Sequence, residues 1–448
     1  MTFVDRWSLM SRPTWRAIAT SSVLSAVALV LPGPASAVGM ATGGTTRVSM
    51  SSAGAQANGH STSTAISANG RYVAFDSEAS NLVPGDTNRS QDVFVRDRQN
   101  GVTSRVSVAD SGAQASCCSA SAAISAEGRY VVFTSDAPNL VPGDTNDAFD
   151  VFVRDRLAGT TRRVSVSGLA AQTNASSTSY PEGISADGRY VAFVSTATNL
   201  VPGDTNGSDD VFLRDLQTGI TRRISVSGAG IQADGDSSGA AVSADGRYVT
   251  FDSTARNLVP GDTNGYHDVF LRDVRTGITR RASVSGTGIQ GQDGSVDPAI
   301  SADGRYVTFY SFARNLVPTD TNGIPDVFLR DMQTGVTRRI SVSGTGAQSN
   351  GDSHTPAISP DGRYVTFSSD ASNLVPGDTN ATTDVFVRDW GAGVTRRVSV
   401  SDTGVQGNKA SGSAAIGSGD RHVAFRSWAS NLVAGDTNGR FDIFVRVS

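Results

Sequence analysis

An Asp-x-Asn-x-x-x-Asp constellation occurs seven times in this chain of 448 residues. The copies are Asp86, Asn88 and Asp92; Asp144, Asn146 and Asp150; Asp204, Asn206 and Asp210; and Asp262, Asn264 and Asp268. Three more follow: Asp320, Asn322 and Asp326; Asp378, Asn380 and Asp384; and Asp436, Asn438 and Asp442. Each sits in the phrase N-L-V-P-G-D-T-N-x-x-x-D, where Thr319 replaces the glycine once and Ala434 the proline once. Carboxylate and amide oxygens are hard donors of the kind that calcium takes, about six to eight at a time. Three side-chain ligands leave the remaining positions to backbone and water, so the expected affinity is weak. A second reading is turn chemistry. Asp and Asn close turns on nearby backbone amides, and the last Asp can tie the loop to the following strand or pair with an arginine.

Little else in the chain suggests chemistry. There is no H-E-x-x-H and no phosphate-cradling loop ahead of a helix. Gly351-Asp352-Ser353-His354 sets Ser beside His, but a triad is a spatial arrangement that adjacency cannot show. Four histidines, His60, His267, His354 and His422, make a multi-histidine metal centre unexpected. Cys117 and Cys118 are the only cysteines, and adjacent thiols bridge only through a strained ring. A net charge of -4, with Lys409 the sole lysine, gives no basic face for nucleic acid.

The elements that must position these residues form a repeat. Its first apolar residue recurs at Ile66, Ile124, Ile184, Val242, Ile300, Ile358 and Ile416, spaced by 58 residues except for one interval of 60. Fixed-period self-similarity of this kind decides the fold. In the fifth unit the β-prone pieces are Asp297–Ser301, Arg305–Ser311, Asp326–Asp331 and Thr337–Ser343. Asp303-Gly304 and Thr334-Gly335 supply the turns. Four antiparallel strands per unit predict an all-β, seven-bladed propeller. Residues 45–50 (TTRVSM) are an orphan fourth strand, and the chain ends on a third strand at Asp442–Ser448. Pairing the two closes the ring and covers an exposed edge.

The phrase S-x-D-G-R-Y followed by V-x-F, at Ser185–Phe193, Ser243–Phe251, Ser301–Phe309 and Ser359–Phe367, resembles the TolB-type propeller repeat, a relative of the WD repeat. The D-V-F-V-R-D strand and the T-G-x-T-R-R-V-S-V hairpin match as well, so the resemblance covers residues 45–448. It implies a periplasmic interaction platform, or a non-catalytic domain beside a hydrolase. The seventh copy departs from the phrase at Gly417–His422. The Asp-x-Asn start also resembles the calcium loops of integrin α-subunit propellers and of dockerins. Here the last Asp comes six residues after the first, where integrin-type loops use eight.

Because strands alternate direction, the second-to-third and fourth-to-first connections share one face, and the other face has only tight turns. Loops on a rigid scaffold carry specificity, so the first face is where a partner is expected. Its candidate residues are His60, Tyr180, Glu182, Asp236, Asp297, Asp352, His354 and Lys409. Gln56, Gln114, Gln172, Gln232, Gln290, Gln348 and Gln406 recur in every copy and are expected to bond loop backbone.

Residues 1–37 carry Arg6, Arg12 and Arg16, then an apolar run from Ala17 to Leu31, then Ala35-Ser36-Ala37. This reads as a cleaved secretory signal, leaving residues 38–448 as a single propeller domain, extracytoplasmic and without a membrane span. The expected function is a binding or scaffold module for an envelope or extracellular protein or a glycan, with calcium in the Asp-x-Asn-x-x-x-Asp loops as its one candidate cofactor. The rival is a propeller enzyme, a lyase, lactonase or hydrolase, with its site at the mouth of the central channel. Near-equal blades favour the scaffold, whereas blade-specific polar residues at the axis favour the enzyme.

Overall fold

The computed structural model describes residues 43–447 apart from Asp420. The signal expected over residues 1–37 lies outside the described residues. Among them the secondary structure is all strand, in seven four-stranded antiparallel sheets, and no helix is long and apolar enough to cross a membrane.

Blade 1 comprises Ser61–Ile66, Tyr72–Ser77, Asp92–Asp97 and Val102–Arg105, paired in that order. Blades 2 to 6 begin at Ser119, Ser177, Ser237, Ser295 and Ser353. Blade 7 takes Ser411–Ile416, His422–Ser427 and Asp442–Val447 from the end of the chain and Gly44–Arg47 from its start. Thr45 pairs with Arg446 and Arg47 with Phe444. Closure therefore runs between the two chain ends, as the orphan strand implies.

The apolar core lies between blades. Val131, Phe133 and Phe152 of blade 2 pack with Ala74, Val93 and Val95 of blade 1. The same interface joins Ile443 and Val445 of blade 7 to Phe75 and Phe94 of blade 1. Within each blade two fully buried phenylalanines stack, as Phe75 does on Phe94 with ring centroids 5.9 Å apart. A sheet buried on both faces needs apolar residues at successive positions, which is why V-x-F and D-V-F-V do not alternate cleanly.

The first-to-second turn explains its glycine. Gly128 has φ +74°, and a Cβ there would meet the Tyr72 ring of the preceding blade at 2.2 Å. The tyrosine in turn lies under Arg71, whose guanidinium carbon is 4.8 Å from the ring centre. In blade 7 His422 takes the tyrosine's place and lies against Gly70. Positive φ is confined to the glycine of this turn. Asp303 instead accepts from Ser301 Oγ at 2.6 Å and from the Arg305 amide at 3.0 Å.

Several strand bounds differ from expectation: the closing strand is Gly44–Arg47 rather than 45–50, and the second strand of blade 5 starts at Tyr306. In blade 5 the first strand is Ser295–Ile300, because a bulge between Val296 and Ala299 lets pairing start earlier. The fourth is only Val336–Arg339. Beyond it Val342 bridges Gln348 in a small hairpin, so the fourth-to-first loop is shorter and more structured than its sequence suggests.

Candidate functional site at the channel mouth

Each Asp-x-Asn-x-x-x-Asp loop closes on an arginine from the end of the fourth strand. In blade 1, Arg105 Nη1 donates to Asp92 Oδ2 at 2.9 Å and lies 3.3 Å from Asp86 Oδ1. Asp92 is fully buried, and its Oδ1 accepts from Ser107 Oγ at 2.5 Å. Asn88 turns its Nδ2 toward Asp92 Oδ2, at 3.0 Å, and toward the Ala115 carbonyl, at 2.9 Å. Its Oδ1 accepts the Ser90 amide. Arg163, Arg223, Arg281, Arg339, Arg397 and Arg47 repeat the clasp on the remaining trios. Burial raises the pKa of Asp86, Asp144, Asp204, Asp262, Asp320, Asp378 and Asp436, and the nearby guanidinium pulls the other way.

This donor set does not fit calcium. The guanidinium already fills the space between the two carboxylates, and the amide presents N–H rather than oxygen to it. Among the described residues no three His, Cys, Asp or Glu side chains converge as metal ligands do. The recurrent glutamine belongs to the same network. Gln114 Oε1 accepts from Arg105 at 2.6 Å and from the Thr87 amide, and its Nε2 donates to Thr87 Oγ1.

Blade-specific chemistry gathers instead around the axis, where the first strands of neighbouring blades pack on one another. The two residues that lengthen one interval to 60 fall in the first strand of blade 3, Ser177–Ile184, which is eight residues long where the others have six. Its bulged stretch carries Tyr180, Pro181 and Glu182, and the strand reaches blade 1 as well as its neighbours. Tyr180 reaches the backbone of Gly239 on blade 4, and burial beside Asp252 pushes its hydroxyl up to about 12. Glu182 reaches the backbone of Ile300 on blade 5. Burial, with Asp297 adding repulsion, raises it to about 8. Glu182 Oε2 is closed off from solvent and makes no hydrogen bond.

Around this stretch stand residues at positions that differ from blade to blade. The fifth residue of the second strand is Asp76, Thr134, Val194, Asp252, Tyr310, Ser368 or Arg426. Asp252 Oδ2 accepts from Ser238 Oγ at 2.8 Å and contacts His267 Nδ1 at 3.1 Å, which raises the imidazole's pKa. Asp76 accepts from Thr62 and Gln91, and burial lifts it to about 6. Ser121, Asp297, Thr355 and Ser413 hold φ of +48 to +58° at bulges of the first strands, where blade 4 has Gly239. Such conformations cost of order 1–3 kcal/mol each and cluster at functional sites.

The sequence candidates thus divide. Tyr180, Glu182, Asp236 and Asp297 meet on blades 3 to 5, where the Asp209 amide donates to Asp236 Oδ1 at 3.2 Å. His60 joins Trp428 and Phe441 at the seam of blades 7 and 1, and Lys409 lies over Trp428. Asp352 and His354 stand apart on blade 6, where the Asp352 carbonyl accepts from Ser369 Oγ. Asp76, Asp252, His267, Arg426, Trp428 and Phe441 escaped sequence reasoning. Variation at one strand position inside a nearly fixed phrase was the available signal. Cys117 and Cys118 are free thiols. Burial and the Asp136 contact at 3.3 Å raise Cys117 to about 11, which suppresses its thiolate. A cavity of 450 Å³ on the tight-turn face, between Arg189, Asp215 and Arg247, is lined by repeat residues and lies away from this chemistry.

No family model and no curated protein matches the sequence. Solved structures resemble its fold. An oligogalacturonate lyase in complex with manganese aligns at 12% identity and TM-score 0.53, over 91% of this chain and 94% of the lyase. The β-propeller domain of the Trilobed protease from Pyrococcus furiosus, whose velcro is open, aligns at 12% and 0.51, over 87% and 93%. TolB from Acinetobacter baumannii aligns at 15% and 0.39, over 75% of this chain and 62% of TolB. The likeness is one of fold. This chain closes its ring where the Pyrococcus domain leaves it open, and it spans under two thirds of the Acinetobacter TolB.

Proposed function

We propose that this propeller is an extracytoplasmic, non-catalytic binding module that takes its ligand at the channel mouth on the long-loop face. One observation carries the reading: side chains vary from blade to blade on that mouth, while the recurrent carboxylates are spent on identical internal clasps. The nearest approach to a catalytic array supports it. Ser238, Asp252 and His267 are in contact, but Asp252 takes both neighbours. A nucleophilic triad needs the serine bonded to the histidine. The N-terminal signal expected from the sequence supports export.

The enzyme reading keeps one observation of its own, Glu182. A carboxyl held protonated at neutral pH beside a second carboxyl is a candidate general acid. A panel of purified glycans and peptides, assayed both for retention on the immobilised chain and for products by mass spectrometry, separates the two. Retention with no product is expected. Product formation that disappears in Glu182→Gln would replace the binding module with an enzyme.

A further inference from the structure

Most arginines here are spent on repeat-wide structural contacts with carboxylates or loop backbone. Three cations near one exposed aromatic are exceptions. Trp428 is 41% exposed and sits 5.0 Å, centroid to centroid, from Phe441. Lys409 Nζ lies 5.2 Å from the Trp428 ring centre, and the Arg426 guanidinium carbon lies 5.3 Å from that of Phe441. Arg440 Nη1 is 3.3 Å from His60 Nε2, whose ring packs edge-on to Trp428. No carboxylate among the described residues lies within ion-pair distance of Lys409, Arg426 or Arg440; the half-buried Arg426 feels the charge of Asp76 on blade 1 at longer range. The indole is fixed in advance, because Trp428 Nε1 donates to the Gly439 carbonyl at 3.2 Å and the Phe441 amide donates to His60 Nδ1 at 3.1 Å.

Rings and cations therefore alternate along the seam of blades 7 and 1. An aromatic face is electron-rich and attracts C–H and cationic groups. Lysine and arginine beside it recognise carboxylate or sulfate. A ligand that matches the alternation has an apolar ring face and an anion on each ring. Lys409, on a flexible stem, can leave the indole for that anion as the ring takes its place. Asp76 on blade 1, and Asp209, Asp236, Asp252 and Asp297 on blades 3 to 5, repel a long polyanion, so a short stretch or a chain end fits best.

We infer that Trp428, Phe441, Lys409, Arg426 and Arg440 form a subsite for an acidic oligosaccharide whose sugar rings carry carboxylates. This rests on the reading that the long-loop face binds ligand. The test is calorimetric titration of the full chain with a short uronic-acid oligosaccharide, with the same oligosaccharide after reduction of its carboxyls, and with an acidic peptide. The acidic sugar is expected to bind and the reduced sugar to bind at least tenfold more weakly. Trp428→Ala should lose tenfold or more. Lys409→Ala, at an exposed side chain that cannot upset folding, should lose a few fold and flatten the dependence on salt. Tyr266→Ala, at an exposed aromatic of blade 4, should change nothing. Equal binding of the reduced sugar, tighter binding of the peptide, or indifference to both Trp428→Ala and Lys409→Ala overturns the inference. If the sugar binds through Trp428 and is then cleaved, the subsite stands and the non-catalytic reading falls. If another ligand is held through the mouth while the sugar is not, the reading stands and the subsite falls.

Discussion

Arg105 reaches from the end of a fourth strand to Asp92 at the start of the neighbouring third strand, 2.9 Å away, and holds Asp86 on its other side at 3.3 Å. Both ends of the pair are buried, so removing one partner strands the other without water. Breaking such a pair costs about 3–5 kcal/mol. Arg105→Ala should lower the urea midpoint accordingly, while Arg105→Lys should recover only part of the loss, since lysine lacks the planar fork. An unchanged midpoint would show that the clasp contributes nothing.

The same clasp bears on calcium. A guanidinium between the carboxylates leaves no vacancy for a cation. Thermal unfolding of residues 38–448 in chelator, in millimolar calcium and in millimolar magnesium should give midpoints that agree. Ligand at about a hundred times its dissociation constant adds about 2.7 kcal/mol per site. A calcium-specific rise would therefore be large, and would mean that the arginine yields its place.

Gly128 faces Tyr72 of the preceding blade with φ +74°. Gly128→Ala adds a Cβ to an unfavourable conformation and drives it into the ring. The expected loss exceeds about 1 kcal/mol. Gly419, where a Cβ would meet none of the described residues within 4 Å, supplies the comparison, because Gly419→Ala suffers the conformational cost alone and should lose less.

Glu182 sets a pH dependence. Its pKa rises on folding from an ordinary 4.5 to about 8, so between those values the native state binds more protons than the unfolded one. Stability should then fall as pH rises from about 4.5 through about 8. Glu182→Gln should match the parent near pH 4 and exceed it at pH 9 in thermal midpoint. The acid limb has the opposite origin. Hydrogen bonds from Arg129 and Arg247 hold Asp155 and Asp273 at about 2, so the stability that they contribute is present above pH 4 and fades as pH falls toward 2. A Glu182→Gln curve parallel to the parent's across the alkaline range would refute the assignment.

Closure gives a prediction about the chain's first strand. Ser49 Oγ donates to Asp442 Oδ1 at 2.5 Å, and Val48 is buried in the core shared by blades 7 and 1. Deleting residues 38–50 bares the edge Asp442–Val447, a template for intermolecular pairing. Light scattering should show self-association of the truncated chain where the parent gives a single species. A monomeric truncation with an unaltered midpoint would make the closing strand dispensable.

Sequence by itself determined the blades. A repeat of 58 residues, with Val, Phe and Tyr where strands bury them and glycine where a turn needs positive φ, leaves one architecture that buries every sheet. The unmatched strands at the two ends even dictated how the ring shuts. What Asp86, Asn88 and Asp92 do was decided only by the tertiary structure. Metal ligands and ion-pair partners use the same oxygens, and which they become depends on whether Arg105, thirteen positions on from Asp92, folds back between them. The grouping of Trp428 with His60, and of Glu182 with Asp297, likewise had no trace in local spacing. These residues lie hundreds of positions or two blades apart; ring closure sets the first pair side by side, and the packing of the first strands around the axis the second.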